Sequence, residues 1–149
     1  MLYGAVLGIH LYAMCTALLL FVAAEFLLLA ARRGYRRPAR MAFLASRLAG
    51  PLTGAGVLAG IVLVVLGGWS PLTPWLVASI ALIGALMAVE HTFVRPWAMR
   101  GQMGHRGSAV DVKALAADSR AMAGRLAVIA LFALIIALMV AKPELNGFA

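Results

Sequence analysis

An all-α, integral-membrane four-helix bundle is the fold class that this sequence predicts, and three observations predict it. Of 149 residues, 64% are hydrophobic and only 12% charged, with a mean hydropathy of +1.00, which is outside the range of soluble domains. Four apolar stretches, residues 2–31, 50–68, 74–94 and 121–141, reach the roughly 20 residues that a helix needs to cross a hydrocarbon core. Twelve of the thirteen basic residues fall on one side of those stretches, and only Lys142 follows the last of them. Arg32, Arg33, Arg36, Arg37, Arg40 and Arg47 lie in or beside the first connection; Arg95, Arg100, Arg106, Lys113, Arg120 and Arg125 lie in or beside the third. By the positive-inside rule these two connections are cytoplasmic loops and both termini lie outside, on the periplasmic side of a bacterial inner (plasma) membrane. Residues 1–149 then form a single membrane domain. A net charge of +8 and a pI near 11.1 would suggest nucleic acid in a soluble chain. Concentrated at membrane boundaries, the same charge instead attracts anionic lipid, at about 1 kcal/mol per residue near the surface. The expected partners are the bilayer and a second copy or a larger membrane complex, with no nucleic acid.

The first span, at 30 residues, is about 45 Å long if helical, against a hydrocarbon core of about 30 Å, so it must tilt or protrude. It is too long for the apolar region of a cleavable signal and has no Lys or Arg before it. Its lone cysteine, Cys15, reads as a small packing residue. Gly34 and Pro38 end the helix. A basic segment over 41–48 is expected along the interface before Pro51 opens the second span, where a missing N–H costs nothing. That span carries the small-residue pairs Gly50/Gly54 and Gly56/Gly60. They suit either a close helix seam or a groove for a flat cofactor. Trp69 and Trp75 bracket the outer turn, and Tyr35 and Trp97 are expected as interfacial anchors at the inner side. Ser108 followed by Asp111 resembles a capping box, which predicts an interfacial helix over 108–120 leading into the fourth span. His105, just before it, reads as solvated, and the fourth span reads as scaffold.

Four ionisable residues stand inside two of the spans: His10, Glu25, Glu90 and His91. Charge there is expensive, roughly 2.5–3.5 kcal/mol for a centrally placed Asp, Lys or Arg. Counting 1.5 Å per residue from the outer ends puts His10 about 9 Å deep and Ser79 about 8 Å deep. On the same scale Glu90 and His91 lie about 24–26 Å in, and Glu25 and Arg47 about 31 Å in. An outer pair, His10 with Ser79, and an inner group, Glu25, Arg47, Glu90 and His91, are therefore expected. The inner group admits structural ion pairs, a proton or ligand site, or a partner-binding surface. Arg47 or Arg95 is the expected counter-ion for a carboxylate there, and histidine is the side chain suited to exchanging protons near neutral pH. His10 admits ligand contact or a hydrogen bond to Ser79 or a helix carbonyl. The two histidines differ by about 16 Å in depth, so they cannot share one haem iron, whose axial ligands stand about 4 Å apart. No phosphate loop, nucleophile elbow, zincin helix or acidic pair at metal spacing is present.

Several short stretches carry a family resemblance. They are "GIHLYA" around His10, "SRLAGPLTGAGVLAGIVLVVLGGW" in the second span, and "PWLVAS" with "EHTFVRPW" at the two ends of the third. Over about residues 8–100 the chain is similar to small four-helix membrane proteins allied to the superfamily of copper-resistance D proteins and J-type protoporphyrinogen oxidase. The resemblance implies a four-helix membrane fold and, in the oxidase, haem b acting on a tetrapyrrole. It makes His10 the first-helix histidine, a haem-iron ligand, and His91 the third-helix one. Ser79 stands where the oxidase has its functional lysine, and "MCTALLLFVAAEFLLL" replaces its aromatic and Pro-Arg signature. The resemblance therefore implies cofactor binding, through His10 with Ser79 nearby, rather than an enzyme. The expected function is binding of haem or another hydrophobic redox cofactor. The alternative is a small transport or accessory subunit, or a scaffold, using Glu25, Glu90 and His91 for protons or cations.

Overall fold

The computed structural model describes residues 1–33, 35–103 and 112–141, and among these there is no strand. Helix α1 spans Leu2–Ala31, α2 Arg36–Leu66 and α3 Pro74–Val89. A π-helical turn, Glu90–Val94, joins α3 to α4, Arg95–Met103; α5 is Val112–Ala117 and α6 Ser119–Ala141. Four rods, Leu2–Ala31, Arg37–Leu66, Pro74–Gly101 and Ser119–Ala141, are long and apolar enough to cross a membrane. Large apolar side chains such as Leu19, Phe26, Leu58, Ile61 and Val65 are exposed on their outer surfaces. Helices apolar on all sides belong in lipid rather than water.

Helices α1 and α2 pack along their length as a hairpin, α3 packs on α6, and α1 touches α6 to join the two pairs. The hairpin is close because its seam is small: Ala17, Ala24 and Ala31 of α1 and Ala39, Ala42, Ala45 and Ala49 of α2 are all buried. Small residues let two backbones approach until dispersion contacts hold them. Two glycines extend that seam. A Cβ on Gly56 would lie 2.5 Å from Met14 Sδ, and one on Gly60 3.1 Å from His10 Cε1. The groove that these glycines form is thus filled by α1's own side chains. A second buried layer, Phe21, Leu86, Val128, Phe132 and Ile135, joins α1, α3 and α6.

The helices differ from the sequence expectation at three places. The segment 41–48 does not lie apart along an interface; it is the first half of α2, which continues through Pro51. Proline cannot donate to the Arg47 carbonyl one turn back, but such breaks are tolerated in membrane helices where hydroxyls and neighbours satisfy the freed groups. Thr53, next to it, donates its hydroxyl to the Ala49 carbonyl at 2.9 Å. Trp97 is not an interfacial anchor. It is fully buried, with Nε1 donating to the Leu115 carbonyl at 2.9 Å. The helix expected over 108–120 is interrupted: α5 ends at Ala117 and α6 starts at Ser119, while the capping pair Ser108/Asp111 and His105 lie outside the described residues. Asp118 causes the break by capping α6, its carboxylate accepting from the Ala121 N–H at 3.0 Å. That N–H, with Arg100 at 3.2 Å, holds the Asp118 carboxyl below the usual carboxylate range, so the cap stays charged at neutral pH.

The seam predicts a contrast between two glycines of one helix. Gly56→Leu should destabilise the protein in detergent by about 1–3 kcal/mol through overpacking. Gly54→Leu, where nothing lies within 4 Å, should be neutral or stabilising. Thermal unfolding of both variants checks this, and equal losses would refute the seam.

Candidate functional site

Two prolines set the geometry of the arginine-rich half. Pro51 opens the backbone ladder of α2, and Pro96, one residue into α4, does the same to the rod beginning at Pro74. Just before Pro96 the ladder widens. The Arg95 N–H donates to the Glu90 carbonyl five residues back, and the Thr92 hydroxyl donates to the Ala88 carbonyl at 2.7 Å. A single π turn of this kind shifts the facing of the side chains around it and is frequent at functional sites. It lies where α2 and α3 make few direct contacts.

Between them is a cavity of about 470 Å³, within the size range of small-molecule sites. Ser46, Arg47, Gly50 and Pro51 of α2 form one wall; Glu90, His91, Val94 and Arg95 form the other. Phe21 and Phe43 close its apolar interior. Glu90 is half-buried, and a Cβ on Gly50 would lie 4.0 Å from its Oε1, so the carboxylate faces α2 at its thinnest point. Arg95 places an Nη1 3.5 Å from His91 Nδ1. Guanidinium only donates, so Nδ1 is the acceptor in that contact. Among the described residues neither Arg47 nor Arg95 is within ion-pair distance of a carboxylate.

Glu25 stands apart from this group. It is bonded by Arg125 of α6, through Nε to Oε1, and through Nη2 to Oε2 at 3.5 Å. Arg125 is 4% exposed, and its guanidinium lies 4.2 Å from the centre of the Trp97 ring. Its Nη1 is buried without a hydrogen-bond partner among the described residues. Phe43 packs on the same indole, 5.0 Å from Trp97 centre to centre. The expected inner group is therefore two structures: a closed Glu25–Arg125–Trp97 lock, and an open cavity carrying Arg47, Glu90 and His91.

The outer pair is not joined either. His10, 7% exposed, bonds through Nδ1 to the Gly56 carbonyl at 2.7 Å, while the Ser79 hydroxyl donates to the Trp75 carbonyl of its own helix at 2.8 Å. Since a carbonyl only accepts, Nδ1 carries the proton. The lone pair is then on Nε2, the arrangement that second-shell carbonyls impose on ligand histidines. On α2 the cavity residue Gly50 and the His10 contact Gly56 are six residues, about 9 Å, apart. Among the described residues no group of three His, Cys, Asp or Glu side chains could hold a metal ion.

Two residues escaped the reading of the sequence. Arg125 stands inside an apolar stretch, as Glu25 does, yet its neighbours made it look like a loop charge; one cation and one carboxylate buried at equal depth were the available signal. Trp97 follows a proline near a helix end, which is also where an interfacial anchor would be. No family model, curated protein or solved structure matches the chain.

Proposed function

We propose that this chain is a small transport or accessory subunit of a bacterial inner membrane. Its termini face outward, its arginine-rich connections face the cytoplasm, and its working site is the cavity between α2 and the π turn. One observation carries the reading: a space of about 470 Å³ brings Glu90, His91, Arg47 and Arg95 around one volume at the arginine-rich end of the spans. Intramembrane ionisable residues that line a cavity are the usual markers of ion or substrate pathways. Glu90 and His91 are adjacent, one a carboxylate and the other an imidazole, and together they handle a proton there. Glu25 has no part in this because Arg125 already neutralises it. Association with a second copy or a larger complex would use the open faces at Gly4, Gly8 and Gly54, since Gly56 and Gly60 are occupied internally.

A second reading rests on the orientation of His10. With Nδ1 held by the Gly56 carbonyl, Nε2 is suited to ligate a haem iron, as the resemblance to the copper-resistance D and protoporphyrinogen oxidase superfamily implies. This reading uses one protein ligand; His91, on the cavity wall with Gly50, stands about 9 Å along α2 from the His10 contact at Gly56.

Proteoliposomes containing an entrapped pH dye distinguish the two. The transport reading predicts a proton flux driven by a pH gradient that falls to the level of empty vesicles in Glu90→Gln. Flux indifferent to that change would refute it. The cofactor reading predicts a Soret band after expression with haem supply, diminished in His10→Ala; a colourless protein would refute that.

A further inference from the structure

The cavity carries more cation than anion, and among the described residues neither of its two arginines is within ion-pair distance of a carboxylate. Arg47 reaches it from α2 and Arg95 from the end of the π turn, against the single carboxylate Glu90. A guanidinium presents a planar fork of donors matched to phosphate and carboxylate oxygens. Behind this charge the cavity is apolar, with Phe21, Phe43 and Val94 on its wall. Its rim is apolar as well and open to the surroundings: Met87 and Met99 line the cavity yet are 56% and 49% exposed. Leu44 and Leu48, flanking Arg47 on α2, are also exposed. Arg95 lies six residues, about 9 Å, before the end of the rod Pro74–Gly101, which in the membrane orientation proposed above is where headgroups meet acyl chains. Charge at the mouth, apolar walls behind it and an apolar rim match one kind of molecule.

We propose that the cavity binds an anionic amphiphile, its phosphate or carboxylate held between Arg47 and Arg95 and its apolar body leaving past Met87 and Met99. This rests on reading the cavity as a ligand site, and it makes the site stoichiometric, unlike diffuse attraction of lipid to the basic connections. Glu90 then faces the bound anion and weakens its binding while deprotonated; protonation relieves the repulsion.

Calorimetric titration of the purified full chain in nonionic detergent with dioctanoyl phosphatidylglycerol tests the assignment. Saturable one-to-one binding is expected, about tenfold weaker in each of Arg47→Ala and Arg95→Ala, the loss of one charge-assisted contact. Both arginines are exposed, so these changes leave folding intact. Arg33→Ala, an exposed arginine outside the cavity, should bind as the parent does, and dioctanoyl phosphatidylcholine should bind much more weakly. Equal losses in all three variants, or no saturable binding, would overturn the proposal. Inorganic phosphate competing as well as the lipid would make the ligand a free anion and overturn the amphiphile. Glu90→Gln should bind equally or more tightly; weaker binding would assign the cavity to a cationic group instead. Retained lipid binding with proton flux unaffected by Glu90→Gln would leave this inference standing and remove only the proton role. Flux that depends on Glu90 without lipid binding would do the reverse.

Discussion

A buried arginine inside an apolar helix must find a counter-charge, and the meeting of Arg125 with Glu25 is the constraint on which the rest of this structure depends. Arg125 is six residues into α6 from Ser119, and Glu25 six residues from the end of α1 at Ala31, each about 9 Å along its helix. Neither would be stable alone at that depth. Joined, they tie α1 to α6 across a sequence separation of 100 residues. Trp97 completes the lock from α4, adding a cation–π contact of about 2 kcal/mol where water is excluded. Its indole N–H, given to Leu115, draws in α5 as well. Four helices, α1, α4, α5 and α6, are thus joined through one charged side chain and the ring beneath it.

That lock determines where the molecule is closed and where it is open. Alanine and glycine let α2 lie tightly along α1, while α6 holds α3, so α2 and α3 are each committed to another partner. The gap left between them is the cavity. Its walls are the two places where proline interrupts a helix ladder, at Pro51 and just before Pro96. Charged side chains are placed there with fewer ion pairs than their number would permit. Structural neutrality is secured at Glu25 and Arg125, whereas among the described residues Arg47, Glu90, His91 and Arg95 stand in no ion pair.

The sequence made the spans legible because length and apolarity alone decide whether a helix can cross a bilayer. Counting residues along the spans sets His10 apart from Glu90, and on α2 the two meet different residues, Gly56 and Gly50. Facing was not legible. Helices that are apolar on all sides carry no stripe to say which side meets which neighbour, so His10 and Ser79, similar in depth, each bond to a backbone carbonyl instead of each other. The same lack of azimuth left Arg47 or Arg95 as the expected counter-ion for a carboxylate of the inner group, whereas the carboxylate that is paired, Glu25, is bonded by Arg125. The π turn had local causes in Thr92 and Pro96, but its effect is a rotation of side chains that no hydrophobic period records.

The central claim, that one buried ion pair organises the fold, is tested most directly by a double-mutant cycle on Glu25→Gln and Arg125→Gln, with unfolding measured in mixed micelles. Removing one member of a buried pair strands the other charge, so each single change should cost about 3–5 kcal/mol. The double change should cost clearly less than their sum, with a coupling energy on the order of 2 kcal/mol or more. Single losses that add to within about 0.5 kcal/mol would contradict the account.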